Sequence, residues 1–144
     1  AMASEGLADE VEALLAKRAA AALGLARKAG ELVTGFEKVM AEISAGRLAI
    51  LIEARDGSED GMRKLAGALK SRYAALHKAP APILRPLWGD EMGLALGRAN
   101  VVHAALTTGS MERKVFGDLA RLESFGRVDR PEMPAAPDGE RDEI

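Results

Sequence analysis

Apolar positions in the first thirty residues recur at the helical interval. Leu7, Val11, Leu14 and Leu15 fall at i, i+4, i+7 and i+8, and an alanine-rich stretch carries the same period through Leu25 to Ala29. This spacing predicts one long helix. Gly24 costs a helix interior roughly 1 kcal/mol relative to alanine and marks a place for it to bend or break, while Gly30 is placed to end it. Leu32-Val33 makes a minimal strand. Thr34-Gly35-Phe36-Glu37 has the Thr-x-x-Glu form of a capping box and predicts that a second helix starts there, with Val39, Met40 and Ile43 inward and Gly46 as its stop. Leu48 to Ile52 is an unbroken apolar run of strand length, the pattern of a strand covered on both faces.

Asp56-Gly57-Ser58 is turn chemistry, and Ser58 or Asp60 can cap a third helix running to about Leu76, with Met62, Leu65, Ala66, Leu69 and Tyr73 inward. Its outer face carries Arg63, Lys64, Lys70 and Arg72. Ile83 to Leu87 reads as a strand that Pro86 ends or confines to an edge. Asp90 can cap a short helix through Leu96; Val101 to Leu106 is another strand; Met111, Val115, Leu119 and Leu122 mark a last helix, with Phe125 packing beneath its end. Alternation of helix and strand throughout predicts an α/β fold, a three-layer α/β/α sandwich around a central, mostly four-stranded mixed sheet.

Charge divides the chain into three parts. Residues 1–12 hold four acids and no base, residues 129–144 hold six acids and two bases, and the body, 13–128, holds 18 bases against 12 acids. Residues 1–6 read as a tag remnant or as disordered. Residues 7–128 form a single domain, and 129–144, with three prolines and no apolar period, an acidic disordered tail. A basic body suits a polyanionic partner, although lysines and arginines on solvated helix faces produce the same excess. The chain has no cysteine, so it has neither a disulfide framework nor a thiolate site, which fits a cytoplasmic protein. No apolar run reaches the ~18 residues of a membrane span.

Catalytic chemistry is scarce. There is no nucleophile elbow, Walker loop or His-Glu-x-x-His motif, and the two histidines, His77 and His103, lack companion ligands, so neither an enzyme nor a metal or other cofactor is expected. Gly89, Gly93 and Gly97 recur every four residues, which places them on one helix face for close packing. Trp88, the lone tryptophan, suits a hydrophobic plug. The corner around Thr34 to Lys38 has two readings: a satisfied capping box, or an anion site in which a helix N-terminus is lined by Arg27, Lys28 and Lys38.

The segment from Gly24 to Ser58, opening GLARKAGELVTG, resembles the start of the ribosomal protein L-seven-Ae and L-thirty-e superfamily, the kink-turn RNA-binding fold. Ala54-Arg55-Asp56-Gly57-Ser58, Pro86 to Gly93 and Val101 to Leu106 are similar to later blocks of that family, in order, over about Leu23 to Leu122. The fuller match is similar to the C-terminal half of bacterial YlxR-type nucleic-acid-binding proteins, whose longer members carry a small basic domain in front.

This resemblance implies an RNA-binding role linked to translation or transcription termination, with RNA and the ribosome or transcription machinery as partners. It places contacts at the second helix start, Gly35-Phe36-Glu37-Lys38, where the family's Asn-Glu pair becomes Phe-Glu, and at Arg55-Asp56-Gly57 and the turn at Leu106-Thr107-Thr108-Gly109. Glu31 stands where the family often has a base. Arg27, Lys28 and Lys38 are expected on phosphates, with Gly35 allowing close approach and Thr34 and Glu37 setting the helix start. The alternative is a protein-interaction module that keeps the fold without RNA binding, offering an exposed Phe36.

Overall fold

The computed structural model describes the backbone of residues 2–128 and of Arg130. The elements follow in the expected order: α1 (Met2–Lys28), β1 (Leu32–Thr34), α2 (Phe36–Ala45), β2 (Leu48–Glu53), α3 (Glu59–Ala75), β3 (Ile83–Leu84), α4 (Gly89–Ala95), β4 (His103–Thr107) and α5 (Glu112–Phe125). The tail expected over 129–144 lies, Arg130 apart, outside the described residues.

The strands form one mixed sheet in the order β1-β4-β2-β3, with β4 antiparallel to both β1 and β2 and β3 parallel to β2. The apolar run of β2 is interior, as its composition requires, and β3 is a two-residue edge closed by Pro86. Helices cover both faces and complete the three-layer α/β/α sandwich. On one face α1, α4 and α5 bury Leu23, Ala26, Met92, Val115 and Leu119 against Ile50, Ile52, Ala104 and Leu106. On the other, α2 and α3 bury Val39, Ile43, Leu65, Leu69 and Tyr73 against Leu48, Leu51 and Ala105. Leu48 and Leu51 share a face although they stand an odd number of residues apart. The register slips there, with Leu48 opposite Thr107 and Ile50 opposite Leu106, so Ala49 is the extra residue of a bulge.

Several boundaries differ from expectation. Helix α1 already runs from Met2, so residues 2–6 continue it, and it passes through Gly24 unbroken. A Cβ at Gly24 would meet the Ala95 carbonyl at 3.5 Å, an ordinary contact, so the packing of α4 there does not depend on the glycine. Gly30, at φ 76°, ends α1 as a Schellman cap: its N–H donates to the Arg27 carbonyl and that of Glu31 to the Ala26 carbonyl. Ser58 holds the N-cap position of α3 but makes no side-chain cap bond. Asp90 lies inside α4 rather than capping it; the cap position is Trp88, whose N–H donates to Glu91 at 2.9 Å. Gly97 is not on a helix face but follows α4 at φ 72°. Val101 and Val102 precede β4, and Phe125 is 38% exposed rather than packed beneath α5.

The helical layer of α1, α4 and α5 is fastened at Arg127, whose side chain is only 7% exposed. Its guanidinium donates to both Glu91 oxygens, at 2.7 and 2.9 Å, to Glu12 at 2.9 Å and to the Pro86 carbonyl at 3.1 Å. Burial pushes the Glu91 carboxyl up, but the Arg127 bonds, the Trp88 N–H and the charges of Arg127 and Arg130 together hold it below its ordinary value. Replacing Arg127 by alanine strands two carboxylates and should cost about 3 kcal/mol in urea unfolding at neutral pH. A carboxyl whose folded pKa is depressed contributes stability that is lost as pH falls through that value. The deficit of Arg127→Ala relative to the parent should therefore shrink as pH drops below the usual carboxylate range, which parallel urea melts will show.

Candidate nucleic-acid interface

The corner where β1 gives way to α2 is built differently from a capping box. Thr34 stays in the strand, in register with Ala104, and Gly35 occupies the N-cap position at φ 98°, ψ 147°, a conformation that favours glycine. The Gly35 N–H donates to the His103 carbonyl at 3.0 Å, and its own carbonyl accepts the first helical bond from Val39. Neither Thr34 nor Glu37 caps α2, and no other side chain does. The N–H groups of Phe36, Glu37 and Lys38 are left at the open positive end of the helix.

Beside this end, along the sheet-edge strand β1, lies a pocket of about 130 Å³ lined by Arg27, Leu32, Val33, Thr34, Lys38, Leu96 and Arg98. Arg27 reaches it from the last turn of α1, Lys38 from the first turn of α2, and Arg98 from the loop between α4 and β4. No acidic side chain lines it. Thr34 is 9% exposed, and its hydroxyl has no partner among the described residues. The Arg98 loop is tightly placed: its N–H donates to the Gly93 carbonyl at 2.7 Å, and a Cβ on Gly93 would come within 2.7 Å of the Arg98 carbonyl. The Arg27 guanidinium lies 3.9 Å from where a Cβ on Gly97 would sit. Arg98 went unrecognised in the sequence because Gly97 read as part of a helix face rather than as a left-handed stop that redirects the chain.

Beneath the corner, His103 and Glu53 are both buried, with Nδ1 and Oε1 2.6 Å apart across the paired ends of β4 and β2. Phe36 sets its ring edge-to-face on His103, centroids 5.8 Å apart. It is therefore half-buried against the α2–α3 core and not the exposed contact that the alternative reading required.

The remaining expected residues divide. Lys28 and Glu37 are exposed, and neither lines the pocket. Arg55 is on the same end of the sheet, but its guanidinium lies 5.0 Å from the Trp88 ring centroid and donates to the Arg127 carbonyl. Arg130 also stacks on Trp88, at 4.7 Å, so the tryptophan is a platform for two arginines as well as a plug. Thr107 and Thr108 are at the opposite end of β4 from His103; the Thr107 N–H and hydroxyl are directed to the Glu31 carbonyl, and the Thr108 N–H to that of Arg47. They do not join the corner. Glu31 has its own structural task, accepting from the Met111 N–H at 2.9 Å and the Ser110 hydroxyl at 3.0 Å where α5 begins, bonds that lower its pKa.

No family model matches the chain, and no curated protein matches it. Among solved structures, a protein of unknown function from Bacillus halodurans superposes with a TM-score of 0.61 and 22% identity, over 72% of this chain and 97% of its own. A Giardia lamblia 15.5kD RNA binding protein superposes with a TM-score of 0.55 and 12% identity, over 77% of this chain and 89% of its own. At these identities the likeness is one of fold. Among the described residues, no helix is long and apolar enough to cross a membrane.

Because His103 and Glu53 are a buried pair, either Glu53→Leu or His103→Leu alone should cost about 3–5 kcal/mol, and the double variant should lose less than the two summed. Equilibrium urea unfolding of the four proteins checks this. Gly35→Ala should cost about 1–3 kcal/mol through backbone strain, read in the same way.

Proposed function

We propose that this chain is an RNA-binding domain that seats backbone phosphate in the pocket at the start of α2. One observation carries the reading: cations from three separate elements, Arg27, Lys38 and Arg98, line a single pocket beside an uncapped helix N-terminus. A phosphate there would meet backbone N–H donors, the positive helix end and guanidinium forks suited to its oxygens. The solved structure of an RNA-binding protein with the same fold supports the same direction. Contact to phosphate positions a nucleic acid, whereas base-edge contact specifies its sequence. Phe36, packed inward where the resembled family has a polar reader, leaves the corner suited to backbone shape and charge.

On the resemblance, the finer reading is a non-catalytic, cytoplasmic bacterial domain serving translation or transcription termination, behind a YlxR-type domain in a longer parent chain. The protein-interaction alternative loses its main support with the inward Phe36.

Fluorescence anisotropy against a kink-turn RNA, a plain RNA duplex and a single strand, each at two salt concentrations, tests the proposal. Binding should weaken with salt at a log–log slope of about -0.9 per neutralised duplex phosphate. Arg27→Glu with Lys38→Glu should reduce affinity by roughly tenfold or more and flatten the slope by about one to two. Absence of binding to all three RNAs, or binding unmoved by the double variant, counts against this site.

A further inference from the structure

Helix α1 carries a second stripe, separate from the alanine face that it buries. Leu7, Val11, Leu14, Arg18, Ala21 and Leu25 succeed one another at intervals of four, three, four, three and four residues, the spacing of a two-helix seam. All six are exposed: Leu7 by 61%, Leu14 and Leu25 by 50% each, and Val11 by 36%. The buried positions of the same helix, Ala16, Ala19, Ala22, Leu23 and Ala26, belong to a different face. Large apolar side chains on successive turns rarely face water without a partner.

We infer that this stripe pairs α1 with α1 of a second copy of the chain, antiparallel, about a two-fold axis. The charges of the helix choose both occupant and direction. Alongside the stripe its first half carries Glu10, its second half Lys17, Arg18 and Lys28. A parallel pair would set like charges side by side, whereas an antiparallel pair sets each acidic half along a basic one. With the axis midway between Leu14 and Arg18, Leu7 faces Leu25 of the second copy, Val11 faces Ala21, and Leu14 faces Arg18. The methylenes of Arg18 then cover Leu14, and its guanidinium extends toward Glu10 of the second copy. The same patch serves both copies, so the assembly closes as a dimer and does not propagate.

Sedimentation equilibrium of the full chain, over a micromolar-to-millimolar concentration series, should reach twice the 15.2 kDa of one chain. Leu14→Glu should weaken the dimer by roughly tenfold or more. Arg18→Glu should weaken it too, and Arg18→Glu combined with Glu10→Arg should restore it, a rescue that the antiparallel register allows. As the native chain has no cysteine, Leu7→Cys with Leu25→Cys should yield a covalent dimer under oxidation. These positions are exposed, and circular dichroism will confirm that each variant stays folded. A mass of one chain at every concentration, or a dimer indifferent to Leu14→Glu, overturns the inference.

Discussion

The antiparallel pairing of β2 with β4 is the constraint on which the rest of the molecule depends. These strands are the interior of the sheet, and each presents one face to the α1–α4–α5 layer and the other to α2–α3. The bulge at Ala49 sets which leucines face which layer. At the far end of the pair, His103 works three ways: its carbonyl receives the Gly35 N–H, its imidazole meets Glu53, and its ring takes the edge of Phe36. These contacts tie the start of α2 to that end of the sheet. A buried ionisable pair is weak evidence of net stability; here its recognisable effect is geometric.

The corner assembled above this pair draws one cation from each of three connections that are far apart in sequence. Arg27 is delivered by a helix that ends at Gly30, Lys38 by a helix that begins after Gly35, and Arg98 by a loop pressed against Gly93. All three deliveries rest on glycine, twice for a positive φ and once for want of a Cβ. The opposite pole of the same layer is governed by Arg127, which gathers carboxylates from α1 and α4. Guanidinium groups thus act in two ways, spent internally at Arg127 and Arg55 and turned to a pocket at Arg27.

Element order, sheet composition and the helix stops at Gly30 and Gly46 were legible in the sequence because they follow from apolar period and glycine chemistry, which are local. The capping box was misleading for a physical reason. Thr34 has the right identity and spacing, but pairing with Ala104 holds it in the strand, and tertiary register outranks a local side-chain bond. Arg98 and Arg127 were invisible in another way: their neighbours in space are more than thirty residues distant in several cases, as with Arg127 and Glu12 or Glu91. Arg55 and Thr107 were expected as contacts on the resemblance, yet their hydrogen bonds and stacking partners, which pattern cannot show, tie them to the scaffold.

Glu31 has a consequence for anion selection. Its carboxylate, seated on the Met111 N–H, gives the start of α5 a hydrogen-bonded counter-anion, while at the start of α2 the first-turn acid, Glu37, makes no cap bond. The two helix ends therefore present dissolved anions with unequal vacancies. Because the bonds to Met111 and Ser110 keep Glu31 ionised into more acidic solution than an ordinary glutamate, that occupancy persists under mild acid. On the proposed reading, a phosphate meets an uncapped start at α2 and an occupied one at α5.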